Sequence, residues 1–155
     1  MTSATSGGFW VRPPVGADHD AWAGLYASYA EFYEVEQTAA QRQVVWDWIM
    51  DPAHDVQALL LVDASGQPVG LAHFRPFARP LAASTGCFLD DLFVHPSSRG
   101  GGGAPVLLNE LRRIARERGW SVVRWITADD NYRARAVYDR SATRTHWITY
   151  DMAPD

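Results

Sequence analysis

Apolar and polar residues alternate along this chain with two different periods, and the two periods separate predicted helices from predicted strands. Repeats every three to four residues indicate amphipathic helices, and short apolar runs bounded by turn residues indicate strands. The pattern predicts helices over residues 18–33, 38–50, 105–118 and 131–140. It predicts strands over residues 9–11, 58–63, 69–75, 88–94, 122–127 and 147–152.

The stretches between these elements are predicted to be a tail, turns and loops. Residues 1–8 have no apolar periodicity, so we expect a disordered tail there. Residues 75–86 contain two prolines and are expected to form a loop. The order of the remaining strands and helices is typical of one sheet with helices packed on it, an α/β or α+β fold. We therefore expect a single domain over residues 9–155.

Composition narrows the class of protein. The chain has 155 residues, of which 47% are hydrophobic and 21% charged, as in ordinary soluble domains. No apolar run is long enough for a transmembrane helix, and the N-terminus does not resemble a signal peptide. Cys87 is the only cysteine, which excludes an internal disulfide and fits a cytoplasmic location. The five histidines show no ligand spacing, so we expect no metal.

The charge balance argues against a partner that is itself strongly negative. The net charge is −4, and all 14 basic residues are arginines. A protein that binds nucleic acid by neutralising phosphates usually carries a positive patch or a positive net charge. We therefore expect no nucleic acid partner and no membrane partner.

A run of glycines between the predicted strand 88–94 and the predicted helix 105–118 is the strongest chemical signal. Gly100 to Gly103 are consecutive and follow Arg99. Glycine accepts positive φ without strain, so several backbone N–H groups can turn toward one point. The start of a helix adds a positive potential, and together these features favour a phosphate-bearing ligand.

The spelling of this loop separates three kinds of phosphate site. The Walker loop requires a lysine, which this chain lacks, and the dinucleotide pattern GxGxxG fails at its third glycine. The remaining spelling is Arg99-x-x-Gly102-x-Ala104, and residues 131–138 add a second motif, Asn131-x-x-Ala134-x-x-x-Tyr138. Both motifs, in this order and spacing, resemble those of the GCN5-related N-acetyltransferase (GNAT) superfamily. The likeness extends to the polyamine, small-amine, amino-acid and histone-type branch.

That resemblance implies a mixed, mostly antiparallel sheet with a splayed cleft for acetyl-CoA. The loop would bind the pyrophosphate through its backbone N–H groups, and the strand before it would pair with the pantetheine arm. The implied acetyl-CoA residues are Leu92, Phe93, Val94, Arg99, Gly100, Gly101, Gly102, Gly103, Ala104, Asn131, Ala134 and Tyr138. Gly101 and Gly103 occupy positions where the family usually has side chains, which predicts a loose loop.

The resemblance also suggests catalytic residues. Tyr138 would be the general acid that protonates the departing thiolate, since the ordinary pKa values of phenol and thiol are close. Asp90 matches the position of a catalytic carboxylate, with Asp91 as its neighbour on the strand. Adjacent strand residues face opposite sides, so only one of the two is expected to face the substrate. A purely electrostatic or structural role for Asp90 stays open.

The substrate side is less specific in sequence. Acidic and aromatic residues gather near the end of the first predicted helix, and they suit an organic ammonium ion through charge and cation–π contact. The substrate candidates are Tyr29, Tyr33, Glu34, Asp90 and Asp91, with Glu31 and Glu36 nearby. A solvated acidic helix face is the alternative. His73, Arg75 and Arg79 could instead bind a substrate carboxylate.

The sequence therefore predicts an acetyl-CoA-dependent N-acetyltransferase that modifies a primary amine of a small molecule by direct attack in a ternary complex. Polyamines, amino acids and related amines are the expected acceptors. A protein or peptide acetyltransferase and a non-catalytic acyl-CoA-binding module stay open as alternatives. A homodimer is a further expectation.

Overall fold

The computed structural model describes the backbone of residues 3–155 and side chains from residue 7 onward. The strands are β1 (Ser3–Ser6), β2 (Phe9–Arg12), β3 (Gln57–Val62), β4 (Pro68–Arg79), β5 (Ser84–Val94) and β6 (Val123–Arg124). The helices are α1 (His19–Phe32), α2 (Ala39–Met50), α3 (Gly103–Glu117) and α4 (Tyr132–Ser141). None of the helices in residues 3–155 has both the length and the hydropathy needed to cross a bilayer.

The six strands form one sheet in the order of the sequence. Each neighbouring pair from β1 to β5 is antiparallel, and β6 lies parallel to β5 at the edge. A parallel pair needs a crossover, and the loop together with α3 supplies it. The expected mixed, mostly antiparallel sheet flanked by helices is therefore confirmed.

Strand β3 shows why the sheet has helices on both faces. Leu59 and Leu61 pack with α3 residues, whereas Leu60 and Val62 pack with residues of α1 and α2. Side chains alternate across a strand, so an uninterrupted apolar run can serve two separate cores. Burial of each such leucine contributes on the order of 1.5–3 kcal/mol.

The predicted loop over residues 75–86 is wrong, because most of it continues a hairpin. Strands β4 and β5 remain paired from Gly70↔Val94 out to Arg79↔Ser84, and a short 3-10 turn joins them. Pro76 lies within β4 opposite Cys87. Strand β3 accompanies β4 only as far as Phe74, so beyond that point one edge of β4 is free and tolerates a residue without an N–H.

Both ends of the chain also differ from expectation. Residues 3–6 of the predicted tail pair with β2 as strand β1, while residues 1 and 2 lie outside the described part. Residues 147–152, predicted to be a strand, have no regular secondary structure, and every residue from 142 to 155 is exposed. Alternating apolar and polar residues favour a strand, but a strand also requires a partner for its backbone hydrogen bonds. No strand in residues 3–155 pairs with this segment.

Gly70 holds β4 and β5 at close approach. A Cβ at this position would lie 2.7 Å from the backbone oxygen of Phe93 and 3.2 Å from Cβ of Leu61. Backbone cannot yield as a flexible side chain can, so an added methyl group would have to push the strands apart.

We expect Gly70→Ala to lower the free energy of unfolding by about 1–3 kcal/mol, as overpacked cores do. The matched control is Gly24→Ala in α1, where an added Cβ meets nothing within 4 Å. That change should stabilise the protein by about 0.5–1 kcal/mol, because alanine loses less entropy than glycine in a helix. Urea unfolding of the three proteins measures both effects, and equal signs would contradict this account of Gly70.

Candidate active site

The site begins where β5 and β6 part. The two strands pair only at Cys87↔Val123 and Phe88↔Arg124. Residues 89–94 of β5 then continue beside β4 alone, so their other edge has no neighbouring strand within residues 3–155, although the Val94 oxygen accepts from Arg99. The opening exposes the segment containing Leu92 and Val94, which was expected to pair with an extended ligand arm. An unpaired strand edge can bind such a ligand through its main-chain groups.

The glycine loop lies beyond the end of β5 and leads into α3. Gly100 and Gly102 have φ of 86° and 84°, a conformation that favours glycine, and Gly102 is the N-cap of α3. The backbone N–H groups of Gly100–Ala104 donate to no atom of the described residues. Free N–H groups ahead of a 15-residue helix are suited to binding an anion.

The other two glycines of the loop are required by packing. A Cβ on Gly101 would lie 2.9 Å from the ring of Phe9, and one on Gly103 would lie 2.5 Å from Cδ2 of Leu61. The missing side chains therefore let the loop lie close to β2 and β3. The sequence suggested that these two glycines make the loop loose, whereas the structure shows that they allow close packing.

The Arg99 side chain turns back toward β5 and α1. Its Nε donates to the Val94 oxygen at 3.1 Å, and its guanidinium carbon lies 4.9 Å from the centre of the Phe32 ring. Phe93 contacts the same guanidinium at 5.9 Å, although its own side chain is buried in the core beneath α1. Arg99 thus joins the loop to the end of α1, and only the backbone of Phe93 is available to a ligand.

The second motif closes the opposite side of the cleft. Asn131 caps α4 by accepting from the N–H of Ala134 at 3.4 Å, and its Nδ2 donates to the Tyr33 hydroxyl at 3.4 Å. Tyr138 packs edge-on against Trp125, with 5.3 Å between ring centres. Burial raises the pKa of Tyr138 to about 12, with a smaller contribution from Tyr33. The C-terminal end of α1 and the N-terminal end of α4 therefore meet through this contact.

A chain of hydrogen bonds under α1 ends on Asp91. The indole N–H of Trp22 donates to Nε2 of His73 at 2.9 Å, and Nδ1 of His73 lies 2.8 Å from Oδ2 of Asp91. An indole nitrogen can only donate, so Nε2 of His73 must carry a lone pair. The single ring proton is then on Nδ1 and is donated to Asp91. This histidine is neutral, and Asp91 keeps its own negative charge.

Tyrosine hydroxyls hold the same carboxylate from α1. Tyr26 donates to Oδ2 of Asp91 at 3.0 Å, and the hydroxyl of Tyr29 is a further hydrogen-bonding partner. Burial would raise the pKa of Asp91, but the bonds from His73, Tyr26 and Tyr29 outweigh it and lower the pKa. Burial, with the charge of Asp91, raises the pKa of both tyrosines far above the ordinary value of 10.0.

A β-bulge places Asp90 and Asp91 on the same side of the sheet. His73 lies opposite Asp91 and Phe74 lies opposite Leu89, so Asp90 is the extra residue. Asp91 binds His73 and Asp90 binds Arg75, and these two partners on β4 share one face. The expectation that only one of the two carboxylates faces the substrate side was therefore wrong. The alternation rule holds only in a strand without a bulge.

The two carboxylates differ in what holds them. The carboxylate of Asp90 accepts from Arg75 at 3.0 Å, and the Arg75 guanidinium also lies over the Phe88 ring. An arginine compensates the charge of Asp90, whereas neutral donors hold Asp91. The negative charge that has no cationic partner is therefore that of Asp91.

The remaining sequence candidates take no part in the hydrogen-bond network of Asp91 within the described residues. Glu31, Glu34 and Glu36 are exposed to solvent, and Arg79 donates to the Ser121 hydroxyl. Neither Trp22 nor Tyr26 was among the site candidates that the sequence suggested. A signal for both exists, because Trp22, Tyr26, Tyr29 and Tyr33 recur at helical spacing on one face of α1.

Comparisons with known proteins agree on one family. The model of the acetyltransferase (GNAT) family matches residues 22–142. The D-amino-acid N-acetyltransferase HPA3 of Saccharomyces cerevisiae is 25% identical over 134 residues, which cover 86% of this chain and 83% of that protein.

Two solved structures share the fold. A ribosomal-protein-alanine N-acetyltransferase from Brucella melitensis biovar Abortus 2308 superposes with a TM-score of 0.78 at 24% identity, covering 94% of this chain and 98% of the other. The structure of AAC(6')-Iy with a bisubstrate analogue has a TM-score of 0.82 at 18% identity, covering 95% and 99%.

The charged state of Asp91 gives a pH-dependent contribution to stability. Its pKa is lower in the folded protein than the ordinary 3.8, so the carboxylate stabilises the fold above that value and the stabilisation is lost as pH falls through the folded pKa. We expect Asp91→Asn to lower the free energy of unfolding by about 1–3 kcal/mol at pH 7, the range for a disturbed buried hydrogen bond. The loss should become smaller as the pH falls toward about 3.

Urea unfolding at several pH values measures this difference. The control is Asp20→Asn, whose side chain is fully exposed and which should change the free energy of unfolding by less than about 0.5 kcal/mol. A difference between wild type and Asp91→Asn that stays constant from pH 7 to acid would contradict a depressed pKa at Asp91.

Proposed function

This chain belongs to the acetyltransferase (GNAT) family and is an acetyl-CoA-dependent acyltransferase, and we propose that it acetylates a primary amine of a small cationic molecule. The observation that carries the proposal is the carboxylate of Asp91, which lies beside the tyrosines of α1, accepts from the neutral side chains of His73 and Tyr26, and has a lowered pKa.

The cleft has the donors that acetyl-CoA requires. The N–H groups of Gly100–Ala104 at the start of α3 would bind the pyrophosphate, and the unpaired edge of residues 89–94 would bind the amide-containing arm. Asn131 and Ala134 would act through the position of α4, because the first caps that helix and both lie in its first turn. The side chain of Arg99 would border the mouth of the cleft.

The acceptor recess favours an ammonium group. Asp91 supplies a negative charge, and Tyr26, Tyr29 and Tyr33 line the adjoining face of α1 with ring centres 6.0 Å and 4.9 Å apart. Aromatic faces attract cations, and a carboxylate at low dielectric attracts them more strongly. An ammonium ion would therefore be stabilised here without any rearrangement of the carboxylate.

The reaction exchanges a C–S bond for a C–N bond and needs three proton transfers, because the nitrogen loses one proton before the attack and a second after it, and the departing sulfur gains one. The free amine attacks the thioester carbonyl, a C–N bond forms, the C–S bond breaks, and the electron pair leaves on sulfur. Both protons of the nitrogen leave to bulk solvent through water at the carboxylates, since neither a carboxylate nor a single water molecule is a strong enough base to keep them. The backbone of β5 would supply the oxyanion donor.

Tyr138 is proposed as the general acid. Its raised pKa keeps the phenol protonated throughout the neutral range, which a proton donor requires. The burial that raises the pKa of the phenol also raises the pKa of a thiol formed beside it, so transfer from Oη to sulfur remains feasible. Asp90, the base expected from the resemblance, is paired with Arg75, and we propose Asp91 as the carboxylate that binds the amine.

Two observations rank the acceptor classes. An amino acid would also require a cation for its carboxylate, but Arg75 is paired with Asp90 and Arg79 is bonded to Ser121. This favours polyamines and other polycationic amines, although the yeast relative is named for D-amino acids. A protein amine is less favoured, because the contact of Asn131 with Tyr33 joins α4 to α1 across the site.

Replacing Tyr138 by Phe tests the proton donor. We expect kcat to fall by about 10²–10⁴-fold, the usual contribution of a general acid, with little change in the KM for acetyl-CoA. The control is Tyr132→Phe, a tyrosine of the same helix that is 73% exposed. Thiol release measured at saturating amine gives both constants, and an unchanged kcat in Tyr138→Phe would refute the role.

An acceptor panel tests the substrate class. Thiol release should be fastest with a polyamine or an aminoglycoside, slower with D- and L-amino acids, and slowest with a basic peptide. Asp91→Asn should raise the KM for the cationic acceptor about tenfold or more, since one charge interaction near 1.4 kcal/mol is lost. A preference for amino acids, or an unchanged amine KM in Asp91→Asn, would overturn the cation proposal.

A further inference from the structure

An ion pair lies beside the carboxylate of Asp91. Nε and Nη2 of Arg75 both donate to the carboxylate of Asp90, and the shortest of these contacts is 3.0 Å. Because of the bulge, this pair lies on the same face of the sheet as the pair of His73 with Asp91. His73 and Arg75 are two residues apart in β4, which is about 6.6 Å at 3.3 Å per residue. A molecule bound at Asp91 therefore has the Arg75–Asp90 pair as its neighbour.

Aromatic rings hold the guanidinium of Arg75 in this pair. Its central carbon lies 4.9 Å from the centre of the Phe88 ring, and Phe88 contacts Phe77 edge-on with 5.8 Å between ring centres. A cation over an aromatic face is attracted to it, which favours this one orientation of the guanidinium. Within residues 7–155 neither Arg75 nor Asp90 has a second ion-pair partner. Removal of either charge therefore leaves the other one uncompensated.

Both members of the pair can be reached from solvent and act on the acceptor recess. The side chains of Arg75 and Asp90 are 40% and 33% exposed, whereas that of His73 is 2% exposed. Burial raises the pKa of Tyr26, and the charges of Asp91 and Asp90 raise it further. The charge of Asp90 is therefore felt in the recess even while Arg75 is bound to it.

We propose that the Arg75–Asp90 ion pair determines which charges an acceptor can carry close to the amine that reacts. This inference rests on the proposed function, since it takes Asp91 as the group that binds that amine. With the pair intact, the uncompensated charge of the recess is that of Asp91. A second ammonium group or a carboxylate near the reacting amine then finds no opposite charge. The preferred acceptor therefore carries its other charges far from the reacting amine, as a long polyamine does.

Each charge of the pair becomes available when its partner is removed. Arg75→Gln leaves the carboxylate of Asp90 free to attract a second ammonium group. Asp90→Asn leaves the guanidinium of Arg75 free to attract a carboxylate, which it can bind through two parallel hydrogen bonds. The double variant Arg75→Gln/Asp90→Asn has neither charge and should select acceptors as wild type does. Damage to the fold would affect all acceptors alike, so opposite changes in the two single variants identify a charge effect.

Three acceptors of equal chain length measure this selectivity. Propylamine, 1,3-diaminopropane and β-alanine each have three carbons and span about 5 Å, since each bond is about 1.5 Å long. At pH 7 their far ends are neutral, positive and negative, respectively. Thiol release from acetyl-CoA gives kcat/KM for each acceptor. The ratio of kcat/KM for a charged acceptor to that for propylamine cancels any effect of a variant on the chemistry that all three share.

The two single variants should change these ratios in opposite ways. In Arg75→Gln we expect the ratio for 1,3-diaminopropane to rise about three- to tenfold, the effect of one charge interaction that solvent screens in part. In Asp90→Asn we expect the ratio for β-alanine to rise by a similar factor and the ratio for 1,3-diaminopropane to fall. At 1 M salt, where the Debye length is about 3 Å, both variants should approach wild type.

The control is Arg79→Gln on the same strand, because Arg79 donates to Ser121 and binds no carboxylate. It should leave both ratios unchanged. Where a variant turns over too slowly, NMR titration of the three amines against the protein with CoA gives the same ratios from dissociation constants. Ratios that stay unchanged in both single variants, or that move in the same direction, overturn the role of the ion pair alone. A wild type that releases no thiol with any amine contradicts the proposed function and, with it, this inference.

Discussion

The parting of β5 from β6 after Phe88 is the constraint on which the active site depends. Two residue pairs hold the strands together, and beyond them the backbone of residues 89–94 keeps one unpaired edge. The glycine loop begins where that edge ends, and the chain after β6 leads to α4 and Tyr138. The proposed function places acetyl-CoA in this opening, where it would meet the strand edge, the N-terminus of α3 and the half-buried phenol of Tyr138 together. A sheet with complete pairing would separate these three features.

The second constraint is a negative charge held by neutral groups. Trp22 fixes the proton of His73, His73 donates it to Asp91, and Tyr26 adds a second bond. Burying a carboxylate costs several kcal/mol unless donors replace water. A cationic partner would also remove that cost, as Arg75 does for the neighbouring Asp90. The use of neutral donors at Asp91 leaves its charge available to a substrate.

Local signals in the sequence were sufficient for the loop, for the second motif and for most elements. Gly102 and Asn131 are the N-caps of α3 and α4, a role that depends on the local backbone, so the local sequence is enough to identify them. The bulge at Asp90 was not predictable, because it is set by the register of β5 against β4. The loop predicted around Pro76 was wrong for a similar reason. A proline is tolerated at this position of β4 because β3 ends before it, and the sequence of β4 does not show where β3 ends. Pairing relations of this kind are not properties of one segment.

Strand pairing was also unpredictable for the C-terminal segment. The alternation from Ile148 to Met152 specifies which side chains share a face, but it does not specify which sheet, or which molecule, receives them. β6 has only two residues, and the chain beyond it no longer pairs with β5 and leads to α4. Trp125, one residue beyond β6, carries the ring against which Tyr138 packs. The position of the proposed proton donor therefore depends on the residues that directly follow β6, whose outer edge has no neighbouring strand among residues 3–155.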